Sequence, residues 1–249
     1  MIIAKGVYFM EIIRKKQRQL FISFLLTIAL FIGLIIGLFL TSWSIDLKLS
    51  LLLVSLIVML VVLFWFKPRL FYYDQQYGFL KMKSLQGKPL STSFDLSSQQ
   101  WVLHLRKKNF TVFASNEAYA VFHRFTRDAT NFLTKRPMLE IIAILYKDSM
   151  NYHDQEISKI INLIEDDYLR RKVKFTNYTI LQIKFGDDIT KDIEQAADQV
   201  VFDNQAGRHI TVVNGYFIKN QKEVYFLYSD FYTPTAFYRH GIELMKELI

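Results

Sequence analysis

The stretch that decides the fold is LFISFLLTIALFIGLIIGLFL, residues 20–40, which is 21 residues long and holds no charged side chain. A helix of this length rises about 1.5 Å per residue and crosses a hydrocarbon layer of about 30 Å. A second uncharged run, LSLLLVSLIVMLVVLFWF at 49–66, ends in Trp65 and Phe66, an aromatic pair typical of a membrane boundary. The two runs predict a transmembrane hairpin over residues 20–66.

A signal peptide is the competing interpretation of the first run. The run is too long for that purpose, lacks a small-x-small cleavage site and is followed by another apolar run. Within it, Gly33 and Gly37 form a GxxxG spacing that allows close approach of another helix. We expect these glycines to pack against the second span, and self-association into a homo-oligomer is the alternative.

Charged flanks predict the orientation of the hairpin. Residues 1–19 hold five Lys and Arg, and Lys67 and Arg69 follow the second run, whereas the turn 41–48 holds one Lys and one Asp. Because cytoplasmic flanks carry an excess of Lys and Arg, both termini are predicted to lie in the cytoplasm and the turn outside. We therefore expect a bacterial plasma (inner) membrane protein with a basic N-terminal segment, 1–19, that forms a short interfacial helix.

Composition excludes several classes of protein. The chain is 51% hydrophobic, with 22 Phe, 14 Tyr, 9 Gly and 4 Pro, which is unlike a disordered or collagen-like chain. It contains no cysteine, so thiol catalysis, disulfides, iron–sulfur clusters and Cys-containing zinc sites are excluded.

Charge divides the remainder of the chain into two parts. Residues 67–136 hold 12 Lys and Arg against 4 Asp and Glu, whereas 137–249 hold 13 against 17. We predict an α+β cytoplasmic domain made of a basic, membrane-proximal subdomain, 67–136, and an acidic α+β subdomain, 137–249.

Local patterns predict the elements of that domain. In the basic part, alternation predicts strands at 78–84, 101–106 and 110–114, and a helical repeat of apolar residues predicts a helix over 116–135. In the acidic part we expect, in order, a strand at 141–146, a helix capped by Asp154, a strand at 175–185, a helix at 187–200, a turn at Asn214-Gly215, a strand at 223–231 and a closing helix begun by Thr233 and Pro234.

Motifs for catalysis are absent from the sequence. The glycines are too dispersed for a phosphate-binding loop, and neither a Gly-x-Ser-x-Gly elbow nor HExxH occurs. The acidic pairs are interpreted as structural, with Asp166 and Asp167 facing arginines four residues on and Asp187-Asp188 opening a helix. We predict a non-enzymatic protein without catalytic residues, cofactor or metal; convergence of His209, His240 and Asp187 in one cleft would indicate an enzyme instead.

Basic residues give the strongest functional signal. Three interpretations stay open for them: contact with an anionic membrane surface or a protein partner, binding of single-stranded nucleic acid with aromatic stacking, or an ordinary solvated face. The contact candidates are Lys81, Lys83, Lys88, Arg106, Lys107, Lys108, Arg124, Arg127, Lys135 and Arg136. The stacking candidates are Phe79, Trp101 and Phe110.

The predicted layout of a membrane hairpin, a basic β-hairpin and an amphipathic helix resembles bacterial membrane proteins that carry a pleckstrin-homology-like or YcxB-like domain. This resemblance is limited to residues 71–136 and to the level of fold. The leading prediction is a membrane-anchored, non-enzymatic protein whose cytoplasmic α+β domain docks a partner or senses a state at the inner membrane surface. The alternative is a membrane-anchored protein that binds single-stranded DNA or RNA, in replication, conjugation or phage defence.

Overall fold

The computed structural model describes residues 2–127, 137–147, 149–173, 175, 177–205 and 208–249. The chain forms two compact units, Met1–Ser84 and Leu85–Ile249. The first unit is helical, and the second is built around one mixed sheet. The predicted class, an α+β domain preceded by two long apolar helices, is confirmed at this level.

The first unit is an antiparallel pair of helices, α1 (Ile2–Leu40) and α2 (Ile45–Ser84). Residues 41–44 join them, and the rings of Phe24 and Phe66 lie 5.3 Å apart across the pair. Both helices are long and apolar enough to cross a membrane. Most apolar side chains of their uncharged runs are exposed.

Both helices continue well beyond the apolar runs. The predicted short interfacial helix in 1–19 is the first part of α1, and the predicted strand at 78–84 is wrong because these residues are the last turns of α2. Residues Phe79 to Ser84 alternate in polarity, yet Leu, Lys and Met are strong helix formers and no turn signal interrupts them. Pro68 lies within α2. Because proline has no backbone N–H, the carbonyl four residues earlier receives no helical hydrogen bond from this position.

The second unit contains eight strands and four helices among its described residues. In chain order these are β1 (Leu90–Ser91), α3 (Gln99–Lys107), β2 (Thr111–Ser115), β3 (Tyr119–Arg127), β4 (Pro137–Leu145), α4 (Gln155–Arg170), β5 (Asn177–Gly186), α5 (Lys191–Ala197), β6 (Val201–Gln205), β7 (Arg208–Ile218), β8 (Glu223–Phe226) and α6 (Ala236–Leu248).

The strands form a single mixed sheet in the order β1-β8-β7-β5-β4-β3-β2, and β6 also pairs with β7. The centre is parallel: Ile141 is paired with Ile180, which in turn is paired with Val212. The neighbours β3 and β8 run antiparallel to the centre. Strands from both charge-defined parts of the sequence, 67–136 and 137–249, thus belong to the same sheet.

Side chains alternate between two covered faces of the sheet. On one face, Leu139, Ile141 and Tyr178 form an apolar cluster with Ile157 and the other buried residues of α4. On the other face, α6 lies close to the sheet, since a Cβ on Gly241 would be 2.7 Å from Cγ2 of Val213. Strands of a sheet that is covered on both faces are almost continuously apolar in sequence, as residues 138–145 are.

Two further predicted elements in the basic part are wrong. The predicted strand at 101–106 is helix α3, which Ser98 caps by accepting a hydrogen bond from the backbone N–H of Trp101. The predicted helix at 116–135 begins instead with β3, and its remainder, from residue 128, lies outside the described residues. Because both faces of β3 are buried, its apolar residues follow one another and imitate a helical repeat. The layout on which the family resemblance rested is therefore absent.

Most other predicted elements are confirmed. β2, β4, α4 and β5 occur where the sequence predicts them, and Asp154 caps α4. α5 and β8 are shorter than predicted, and Asn214-Gly215 lies within β7 rather than in a turn. The closing helix is also present, but its cap is Thr235 rather than Thr233.

Candidate functional site

The exposed basic end of α3 leads directly into an edge strand. Arg106 and Lys107 occupy the last turn of α3 and are exposed. Asn109 then adopts a positive φ of 66°, a conformation that Asn tolerates better than most residues. The chain then enters β2, so the two exposed cations precede the strand by only a few residues. We call the residues Arg106, Lys107 and Thr111–Ser115 the edge surface.

β2 is the outermost strand on its side of the sheet among the described strands. It pairs with β3 through one edge only, and its register shifts between Val112 and Ala114. Val112 and Phe113 are 41% and 37% exposed. An open strand edge presents backbone donors and acceptors to an incoming extended chain, and here it also presents two apolar side chains.

Arg124 belongs to a buried ion cluster rather than to a basic surface. Its Nε donates to Glu140 Oε2, and its Nη1 donates to the carbonyl of Lys108 at 2.8 Å. Its guanidinium carbon lies 4.3 Å from the centre of the Phe110 ring. These contacts give Arg124 a role in holding β3, β4 and the end of α3 together.

Glu140 is the centre of that cluster and is fully buried. Besides Arg124, its carboxylate accepts hydrogen bonds from Thr126 Oγ1 at 3.0 Å and from His240 Nε2 at 2.8 Å. Burial alone would raise the pKa of Glu140, but the hydrogen bond from His240 and the charge of Arg124 hold that pKa below its usual value. The carboxylate is therefore ionised and fully satisfied at neutral pH.

The Glu140 cluster was missed by sequence reasoning, although a signal for it exists. Glu140 is the only charged residue within the run MLEIIAIL of β4. A carboxylate inside a buried strand requires a cationic partner because burying an unpaired charge is very costly. The signal predicts that Glu140 has a partner. Strand pairing and the docking of α6 decide that the partners are Arg124 and His240.

The other basic candidates are dispersed. Lys81 and Lys83 lie in the last turn of α2, in the helical unit. Lys108 is half-buried, and its Nζ forms an ion pair with Glu247 at 3.2 Å. Lys88 and Arg127 are exposed. Lys135 and Arg136 lie outside the described residues.

The stacking candidates mostly serve the core. Trp101 is fully buried, and its Nε1 donates to the carbonyl of Leu248 at 2.7 Å. Phe110 is also buried, with Arg124 over its ring. Phe79 is half-buried on α2. The buried positions of Trp101 and Phe110 leave no free ring face on which a base would stack.

Gly33 and Gly37 do not touch α2 closely. A Cβ built on either glycine meets nothing within 4 Å. Neither glycine is in close contact with α2, and the role of the two glycines in helix packing stays a prediction.

The acidic residues and histidines that the sequence singled out do not come together in the described part of the chain. Asp167 forms an exposed ion pair with Arg171 at 2.7 Å, as predicted, whereas Asp187-Asp188 precede α5 by several residues rather than opening it. His209 is paired with Asn177 at the start of β5, while Asp187 follows the end of that strand. Asp187 thus lies at the opposite end of β5 from His209, so the three residues named above do not meet in one cleft.

Within the described ranges, no group of three or more His, Asp or Glu side chains is arranged to hold a metal ion. Comparison with known proteins adds no further assignment: no protein family matches this chain, and no curated protein matches it.

Proposed function

We propose that this chain is a membrane-anchored, non-enzymatic protein whose α+β domain lies on the cytoplasmic side and docks a partner at the inner membrane surface. The helical hairpin is the observation that carries the proposal. Its uncharged stretches have the length of a bilayer core, and Lys and Arg are concentrated at the end opposite the turn 41–44. This pattern supports a cytoplasmic position for both termini.

The edge surface is the proposed docking site. An extended segment of the partner would add to β2 as a further strand, with its backbone groups bonding the open edge of the sheet. Arg106 and Lys107 favour an acidic segment, because opposite charges increase the association rate and select the partner. Val112 and Phe113 would supply apolar contact.

Site-specific photocrosslinking in cells that express the full chain tests this site. A photoreactive phenylalanine at Phe113 is compared with one at Leu163, which is an equally apolar and more exposed position on α4. We expect one dominant adduct at Phe113 that is absent at Leu163 and is weakened by Arg106→Gln with Lys107→Gln. Equal adducts at the two positions, or no effect of the charge changes, would contradict docking at the edge surface.

Binding of single-stranded nucleic acid is the second candidate, because Lys88, Arg106, Lys107 and Arg127 are exposed cations. It is tested by titrating a labelled single-stranded oligonucleotide into the purified full chain at several salt concentrations. The logarithm of the binding constant is expected to fall by about 0.7 per neutralised phosphate for each tenfold rise in salt. Arg106→Gln with Lys107→Gln would then reduce this slope by about 1.4. Absence of binding at low salt rules this candidate out.

A further inference from the structure

We propose that the first unit contains a binding site for an anionic phospholipid, in a groove between the polar halves of α1 and α2. This inference rests on the membrane insertion proposed above. The groove has a volume of about 1090 Å³. The residues that the argument uses are Arg14, Lys15, Arg18, Phe21, Leu70 and Phe71.

The groove lies at the depth of lipid headgroups. The apolar run of α1 begins at Leu20 and that of α2 ends at Phe66. At about 1.5 Å per residue, Arg18 is about 3 Å and Arg14 about 9 Å outside the hydrocarbon core. The headgroup layer occupies about 5–8 Å on each side of that core, so Arg18 lies within this layer and Arg14 lies at its outer boundary.

The groove has unpaired positive charge. Arg14, Lys15 and Arg18 line it and are exposed, and in the part of the chain that the structure describes none of them forms an ion pair. Of the two carboxylates that also line the groove, Asp74 accepts a hydrogen bond from Gln17 Nε2 at 3.2 Å across the two helices. Arg14 and Arg18 are four residues apart and so project from the same side of α1. Two guanidinium groups so placed are suited to a phosphate.

The groove shares one lining residue with a neighbouring cavity, whose lining is apolar apart from Lys67. Leu70 also lines a second cavity of about 460 Å³, which extends along Phe24, Leu60, Leu63 and Phe64. Those residues lie inside the apolar runs. A ligand that fills both cavities needs an anionic head and a hydrocarbon tail, and the order of the two cavities along the helices matches a phospholipid of the inner leaflet. Phe21 and Phe71 lie where the head would join the tail.

Native mass spectrometry of the full chain in detergent tests the site. The chain is mixed with equimolar phosphatidylglycerol and phosphatidylcholine that have identical acyl chains, and retained lipid is counted. We expect preferential retention of phosphatidylglycerol. An arginine near the membrane surface contributes about a fivefold preference for anionic lipid, so Arg14→Gln with Arg18→Gln is expected to reduce the preference about 25-fold.

The matched control is Lys16→Gln with Arg69→Gln. It removes two charges at the same depth from residues that do not line the groove, and it is expected to retain the wild-type preference. Arg14→Lys with Arg18→Lys keeps the charge and is expected to retain most of the preference. Equal loss in the groove variant and the control, no preference in the wild-type chain, or displacement of the lipid by excess inorganic phosphate would each overturn the site.

Failure of this inference is distinguishable from failure of the proposed function. Orientation in the membrane is measured separately, by labelling a cysteine introduced at Ser44. A phosphatidylglycerol preference that depends on Arg14 and Arg18 supports the lipid site whichever way the hairpin is oriented. If labelling shows a cytoplasmic domain but the chain has no preference for phosphatidylglycerol, only the lipid site is refuted.

Discussion

The two units of this chain place apolar side chains in opposite ways. In the helical hairpin, Leu40 and Phe64 are 82% and 77% exposed, and apolar residues cover most of the surface. In the sheet unit, the apolar side chains of β4 are fully buried, and the charged Glu140 is buried among them with three side-chain partners. Apolar side chains are thus exposed in one unit and buried in the other.

This difference indicates where each unit obtains its stability. Exposed apolar surface is favourable only in an apolar medium, so we expect lipid to stabilise the hairpin. The sheet unit buries its own apolar surface and is stabilised in water by its core. A change to core packing should therefore affect the sheet unit strongly and the hairpin little.

The largest expected effect follows from Glu140→Gln. This change removes the closer of the two carboxylates that face Arg124 and leaves the longer ion pair with Glu247 at 3.5 Å. Loss of one partner of a buried pair costs about 3–5 kcal/mol. Amide hydrogen exchange in increasing urea is expected to show earlier opening of β4 and β5, with α1 and α2 unchanged. Glu117→Gln, at an exposed position, is the control. Equal destabilisation of the hairpin and the sheet would contradict the conclusion that the two units are stabilised separately.

Lowering the pH should remove the stabilising contribution of the Glu140 carboxylate from the wild-type chain. Because the folded-state pKa of Glu140 lies below its usual value of 4.5, its stabilising effect is complete above that value and is lost as pH falls through the folded-state pKa. The difference in free energy of unfolding between the wild-type chain and Glu140→Gln is expected to shrink as the pH falls below 4.5. Urea titrations of both proteins at several pH values measure it, and a constant difference would contradict the role of Glu140.

Glycine-to-alanine changes give a smaller and more specific test. In Gly241→Ala the new Cβ would lie 2.7 Å from Cγ2 of Val213, so α6 must shift, at a cost of about 1–3 kcal/mol. In Gly37→Ala the new Cβ meets nothing within 4 Å, and no loss is expected. Thermal unfolding in detergent compares the two variants. A loss in Gly37→Ala would instead show that this glycine has a close helical neighbour, such as a second copy of the chain.

The smallest effect is expected at the surface of the sheet unit. Arg171→Gln removes an ion pair with Asp167 that is exposed on α4. Such pairs on helices contribute about 0.3–0.5 kcal/mol. A urea titration at low and high salt should show this small loss only at low salt, because salt screens exposed charges. A loss above about 1 kcal/mol would indicate a contribution from Arg171 beyond this exposed pair.

The sequence was sufficient to predict those elements whose local signals all indicate the same structure. The two apolar runs, the Asp154 cap and the strand at 175–185 are local signals, and the structure contains all three elements. The segment 116–127 was predicted incorrectly because a strand buried on both faces has no alternation to distinguish it from a helix. Trp101 and Leu105, four residues apart and both buried, fit helix α3, but the alternation in WVLHLR favoured a strand.

The candidate site was predictable only in part. Arg106 and Lys107 are exposed, as a contact site requires, and their position beside an edge strand depends on the order of the sheet. Arg124 and Lys108 have the same residue types and were grouped with them, yet each faces a carboxylate that is distant in sequence, Glu140 and Glu247. Residue type predicts charge, whereas tertiary pairing decides whether that charge is available to a partner.

Labelling of single cysteines in intact cells tests the central claim most directly. The chain has no native cysteine, so Ser44→Cys in the turn between the helices and Gln221→Cys in the sheet unit each provide one thiol. Both positions are exposed. We predict that a membrane-impermeant maleimide labels Ser44→Cys in intact cells and labels Gln221→Cys only after permeabilisation. The reverse pattern, or a chain released from the membrane by alkaline carbonate, would contradict a membrane hairpin that carries a cytoplasmic domain.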